Sequence, residues 1–157
     1  MKYWLMKSEP DEVGIDHLAA SPQAAFPWFG VRNYQARNFM RDQMQVGDLV
    51  LFYHSSCEEP GIAGIAKVSS TAYPDATQFD VTSKYYDPKS TQENPRWVHV
   101  DVQFVSKTTF LSLSKMKEDP LLSDMLVLKR GNRLSITPVS EIDWQYIAEK
   151  IGFSAGA

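Results

Sequence analysis

Strand-like and helix-like runs do not alternate along this chain, and that order constrains its fold more than any other feature. Tyr3 to Lys7, Leu49 to His54, Gly61 to Val68, Trp97 to Val105 and Leu134 to Val139 read as strands. The helical signals between them are short and unevenly placed. Ser8-Glu9-Pro10-Asp11 looks like a helix start, with a helix over Val13 to Leu18. Asn33 can cap a helix from Tyr34 to about Met44, with Ala36, Phe39 and Met40 inward and Arg37 and Arg41 sharing another face. Short helices are expected within Ser112 to Lys117 and Leu121 to Lys129, the second ended by Gly131. Ser140 caps a closing helix whose Trp144, Ile147, Ala148 and Ile151 form one apolar face, stopped by Gly152. A βαβ rhythm would set a helix between successive strands, and none is seen. The expected fold is α+β: a small mixed or antiparallel β-barrel flanked by short helices, as one domain over residues 1–157.

At 157 residues the chain is long enough for a real core. No apolar run approaches the roughly 20 residues that span a bilayer. The sequence opens on the strand-like Tyr3-Trp4-Leu5-Met6 without an apolar signal region, and the single cysteine, Cys57, suits a reducing interior. A cytoplasmic protein is expected, or a nuclear one in a eukaryote. Cys57 has only His54 near it at metal spacing, so no metal site and no cofactor are expected. The net charge of -3 argues against sequence-blind coating of nucleic acid, whose affinity comes from many Lys and Arg contacts. A narrow site with local positive charge is compatible with it.

The run Trp28-Phe29-Gly30-Val31-Arg32-Asn33-Tyr34-Gln35-Ala36-Arg37-Asn38 gathers flat rings, amides and guanidinium groups around one glycine. Those are the parts that hold a nucleobase and its phosphate. Alternatively, Trp28 is a core residue and Arg37 and Arg41 are solvated helix charges. Of the four Trp, Trp144 fits its helix's apolar face and Trp4 lies on a strand beside Leu5 and Met6. Val98, Val100, Val102 and Phe104 alternate inward, which leaves Trp97 on the other side of its strand. Trp28 and Trp97 are thus free to form a slot for one heterocycle. His17, His54 and His99 have no partner at a spacing that names a catalytic set, although His54 beside Ser55 and Ser56 is a conceivable base. Gly61-Ile62-Ala63-Gly64 lacks the Lys-Ser/Thr of a phosphate loop.

Tyr3-Trp4-Leu5-Met6-Lys7-Ser8-Glu9-Pro10, Gly30 to Asn38, Phe52-Tyr53-His54-Ser55 and Gly61 to Ala66 occur in that order. They are followed by Ala72-Tyr73-Pro74-Asp75, Trp97-x-x-Val100-Asp101-Val102, Arg133-Leu134-Ser135 and Pro138-Val139. In this the chain resembles the EVE domain family. The resemblance implies a PUA-like fold, distantly similar to YTH domains that read methylated adenine in RNA. It also implies a pocket for a modified base, a methyl- or hydroxymethylcytosine in DNA or RNA. By the same resemblance Lys7, Ser8, Trp28, Asn33, Tyr34, Tyr53, His54, Ser55 and Trp97 surround the base. Trp28 would stack on it, with Trp97 or a Tyr of the Tyr85-Tyr86 loop closing over it. Ser8 and Asn33 would read its edge. Arg32, Arg37 and Arg41, with Lys7, would hold phosphates. Phe29 departs from the polar residue expected after the Trp. The expected protein is a non-catalytic reader whose effector activity, if any, comes from a partner. The alternatives are a small RNA nuclease using His54, Tyr53 and Lys7, and a protein-interaction module.

Overall fold

The computed structural model describes residues 1–154; the last three residues of the expected 1–157 domain lie outside the described residues. Eight strands are present among the described residues: β1 (Tyr3–Ser8), β2 (Phe26–Pro27), β3 (Leu49–His54), β4 (Gly61–Val68), β5 (Tyr73–Pro74), β6 (Val98–His99), β7 (Asp101–Ser112) and β8 (Ile136–Val139). Six of them form one sheet in the order β2-β7-β4-β3-β1-β8, and β5 and β6 pair separately. β1 runs parallel to β3, with Leu5 opposite Leu51, and every other ladder is antiparallel. The mixed sheet curls into a half-barrel. Register shifts between β4 and β7, after Ile62 and after Ile65, supply the bend.

Both faces of the sheet are buried, and the period of two divides the apolar residues between them. Trp4 and Met6 point to the inside of the curl with Val50, Phe52, Ala66 and Val102. There they meet Ile15 and Leu18 of α1 (Ile15–Ala20) and Ala36 of α2 (Tyr34–Asn38). Leu5, Leu51, Tyr53, Ile62 and Ile65 face the other way, against Trp144, Ile147 and Ile151 of the closing helix. Gly64 is required where α1 crosses the sheet. A Cβ there would lie 2.7 Å from both the Ile15 side chain and the Ser106 carbonyl oxygen.

Local chemistry adjusts several expected elements. Ser8-Glu9-Pro10 does not start the first helix: Ser8 ends β1, and its hydroxyl donates to the Val13 carbonyl at 2.7 Å. The helix starts later, at Ile15, where the Gly14 N–H donates to His17 Nδ1. Asn33 caps α2 as expected, its side chain accepting from the Ala36 N–H at 3.0 Å. The helix then widens into a π-helical turn over Phe39–Gln43. Between β5 and β6 the chain makes a 3-10 turn over Ala76–Phe79. The segment expected as one helix from Leu121 to Lys129 is two such turns, Pro120–Leu122 and Leu126–Leu128. α3 (Leu113–Glu118) and α4 (Glu141–Ile151) follow their Ser112 and Ser140 caps, and Gly152 ends α4 at φ 77°.

Candidate functional site

A cavity of about 880 Å³ opens where the C-terminal end of β1, β2 and the loops around Ser55, Tyr85 and Ser135 converge. Its apolar wall is Phe26, Pro27, Trp28 and Val31, with Val13 from the loop after β1. Trp28 is anchored by its own N–H, which donates to the Val100 carbonyl, and its ring meets Phe52 edge-on at 5.5 Å. Trp28 is therefore both buried, at 9% exposure, and part of the cavity wall. The reading of Trp28 as a core residue thus holds, and the same side chain forms part of the cavity wall.

Polar groups on the wall fall into two sets. One joins Lys7 and Ser8 of β1, and Glu9 after them, to Ser55, Ser56, Arg133 and Ser135. Backbone bonds hold these segments together: the Lys7 N–H donates to the Ser135 carbonyl at 2.8 Å, and the Ser55 N–H to the Ser8 carbonyl at 2.9 Å. Ser56 sits at φ 54°, the one non-glycine residue with positive φ among the described residues. That is a conformation found often at ligand sites. Ser8 spends its proton on Val13, so toward a ligand its oxygen is an acceptor. Burial pushes the Lys7 ammonium below its ordinary pKa.

The second set is organised by Asp75. Its carboxylate takes the Gly30 N–H at 2.8 Å, both donors of Thr77, and Arg32 Nη1 at 3.1 Å. Burial pushes this carboxyl up, but the Gly30 and Thr77 donors and the guanidinium outweigh it and hold it below the usual range. Gly30 stands at φ 87°, and a Cβ on it would lie 2.7 Å from the Tyr85 ring. The backbone there is thus shaped to admit Tyr85 onto the wall. The Tyr85 hydroxyl donates to Glu12 at 3.1 Å, and Lys84 pairs with the same carboxylate. This strap ties the 80–96 segment to the loop after β1.

The expected site residues separate in the fold. Lys7, Ser8, Trp28, Arg32 and Ser55 line the cavity. Trp97 does not. It is 5% exposed and stacks on Tyr34 at 4.7 Å, and its indole N–H donates to Asp87 at 2.7 Å. The two-indole slot is absent because the β5–β6 pair and the buried Gln78 cover the side of the strand expected to face solvent. Gln78 bonds to both the N–H and the carbonyl of Trp97. The aromatics that accompany Trp28 on the cavity wall are Phe26, Phe29 and Tyr85. Asn33 and Tyr34 lie on α2 outside the cavity, the first spent as a cap. Tyr53 packs in the outer core, where burial pushes its hydroxyl up to about 12. His54 turns to α1, its Nε2 accepting the Ile15 N–H at 3.1 Å, and burial lowers its pKa.

The three arginines also part company. Arg32 has five N–H groups and all five are spent: on Tyr85 O twice, Val31 O, Asp75 and Thr77. None is left for a phosphate. Arg37 covers the Tyr34 ring at 4.6 Å and donates to Asn38 and to the Arg96 carbonyl. Arg41 is exposed and paired with Asp42. Neither of these two lines the cavity. The residues that sequence reasoning missed are Val13, Glu12, Phe26, Ser56, Arg133 and Ser135. Arg133 and Ser135 stood in a motif shared with the resembled family, but nothing in their local pattern assigned them to a site. Among the described residues no three His, Cys, Asp or Glu gather to hold a metal, and no helix is long and apolar enough to cross a membrane.

Comparison with known proteins gives this geometry a context. Residues 2–150 match the family model described as the EVE domain. Thymocyte nuclear protein 1 of Gallus gallus is 45% identical over 92% of the chain, which covers 66% of that protein. The chain thus spans 66% to 72% of the length of the vertebrate proteins of that name that it matches. A hypothetical protein from Leishmania major superposes with a TM-score of 0.90 at 48% identity, over 97% of this chain and 95% of that one. The human THYN1 protein, in complex with DNA containing 5-methylcytosine, superposes with a TM-score of 0.88 at 40% identity, over 98% of this chain and 99% of that one.

Proposed function

The chain belongs to the EVE domain family, and from that premise we propose that it reads a modified cytosine, extruded from a nucleic acid strand, in the cavity walled by Trp28. The observation that carries this reading is the wall itself. A buried indole beside Val13, Val31 and Phe26 meets hydroxyl, ammonium and guanidinium groups in one open cavity. The human relative's complex with 5-methylcytosine-containing DNA, on nearly the same backbone, supports the choice of ligand.

The base stacks on Trp28, an interaction on the order of 1–3 kcal/mol. A 5-methyl group set against the apolar wall adds about 0.8 kcal/mol, close to a fourfold preference over cytosine. Ser8 Oγ, free to accept, suits the exocyclic amine of cytosine. Extrusion from a duplex costs a few kcal/mol, so an already open strand is the easier substrate. Asp75, Arg32 and Tyr85 fix the shape of the wall and do not themselves hold phosphate.

The module is non-catalytic in this reading. The nuclease alternative needs His54 as a base, and its Nε2 is occupied by the Ile15 N–H, away from the cavity. Titration of the full chain with free cytidine, 5-methyl- and 5-hydroxymethyl-2′-deoxycytidine and matched oligonucleotides, followed by Trp fluorescence, tests the proposal. Tighter binding of the modified forms is expected. Equal affinity for modified and plain cytosine would overturn it.

A further inference from the structure

Two cations on the cavity wall differ from the rest. Arg32 and Lys84 are paired with Asp75 and Glu12. Lys7 and Arg133 line the same cavity and make no ion pair or side-chain hydrogen bond among the described residues. Lys7 is partly buried, and the contact recorded for its ammonium is the Tyr53 ring at 5.9 Å. Withdrawing an ammonium from water without a counter-charge is costly, and the cost is recovered when an anion arrives. The Lys7–Ser135 and Ser8–Ser55 backbone bonds bring both cations into one neighbourhood with the hydroxyls of Ser55 and Ser135. The strained Ser56 belongs to the same neighbourhood.

The cavity's size points the same way. At about 880 Å³ it lies near the top of the roughly 300–1,000 Å³ range that holds whole small-molecule ligands. That is room for more than one heterocycle.

We infer that the cavity takes a complete nucleotide, base and phosphate together, and that Lys7, Arg133 and the serine hydroxyls of Ser55 and Ser135 form its phosphate subsite. This rests on the base-reading proposal and deepens it. Trp28 selects the base, while the Lys7–Arg133 neighbourhood requires that the base arrive attached to a phosphate. The phosphate contacts therefore sit within the cavity, not on the α2 surface that carries Arg37 and Arg41.

The test compares 5-methyl-2′-deoxycytidine with its 5′- and 3′-monophosphates, at low and at moderate salt. At least one monophosphate is expected to bind about tenfold more tightly than the nucleoside at low salt, or ~1.4 kcal/mol. Moderate salt should shrink that advantage. K7Q and R133Q should each reduce the ratio of monophosphate to nucleoside affinity, whereas K115Q, on α3, should leave the ratio unchanged. Arg133 is exposed, so R133Q carries the result even if K7Q melts early. Nucleoside binding with no gain from either phosphate, or a gain that survives R133Q and K7Q, overturns the subsite and leaves the base reading standing. Failure of all three ligands to bind overturns both.

Discussion

Trp28 packs in the core and, in the proposed reading, stacks on the base; variants can separate the two. As a core residue its truncation to Ala should cost about 3–5 kcal/mol of stability. Trp28→Leu keeps much of the apolar bulk and removes only the flat face. In a chain that still melts cooperatively, it should weaken binding of a modified oligonucleotide about tenfold, the loss of ~1.4 kcal/mol. Affinity within twofold of the parent would remove Trp28 from the site. Arg32 and Arg133 make the opposite pair. Arg32→Gln strands the buried Asp75 carboxylate and should cost about 3 kcal/mol in chemical denaturation. Arg133→Gln, at the surface, should change stability by no more than about 0.5 kcal/mol. It should instead lower the salt dependence of DNA binding by about 0.7–0.9 in log-log slope, one phosphate contact. Trp28, Lys7, Ser8 and Ser55, which line the cavity, were singled out in the sequence because a resembled motif and an aromatic surplus marked them. Arg32 was assigned to phosphate because five donors in a loop look available. Only the fold reveals that Asp75, Thr77, Val31 and Tyr85 consume all five.

Among the elements, α1 docks through a contact that depends on pH. The neutral His54 Nε2 accepts the first N–H of that helix, from Ile15. Burial holds the His54 pKa below 6.5, against a weaker pull from Asp16. The stability it contributes is complete above the unfolded value of 6.5 and is lost as pH falls below it toward the folded pKa. His54→Gln keeps an acceptor without the titration. The parent should lose stability more steeply than H54Q as pH drops from 7 to 5; parallel curves would contradict the assignment. Element boundaries show where sequence patterns suffice. The caps at Asn33 and Ser140 and the stop at Gly152 were legible, because each is a local hydrogen-bond pattern. The burial of Trp97 was not. It depends on Gln78, 19 residues away in sequence, closing on its backbone.

For the whole molecule, the net charge of -3 sets the terms of binding. Long-range attraction to a polyanion is weak, so affinity must come from the cavity, and an unmodified strand should bind about fourfold more weakly than a modified one at matched salt. The α+β class and a curled mixed sheet were readable from the order of strands and short helices, although the expected small barrel closes only to a half-barrel, and the fold of the Leishmania major protein agrees with it. The cavity itself was not readable, since it is made by five separated segments meeting at the end of β1. The central claim is that the modified base lies against Trp28. It is tested most directly by NMR of the complex with an oligonucleotide carrying a ¹³C-labelled 5-methyl group on one cytosine. Nuclear Overhauser contacts from that methyl to the Trp28 indole or to Val13 and Val31, with a ring-current shift at saturation, are the predicted result. A methyl signal unshifted in the saturated complex, or contacts to Tyr34 in place of Trp28, would contradict it.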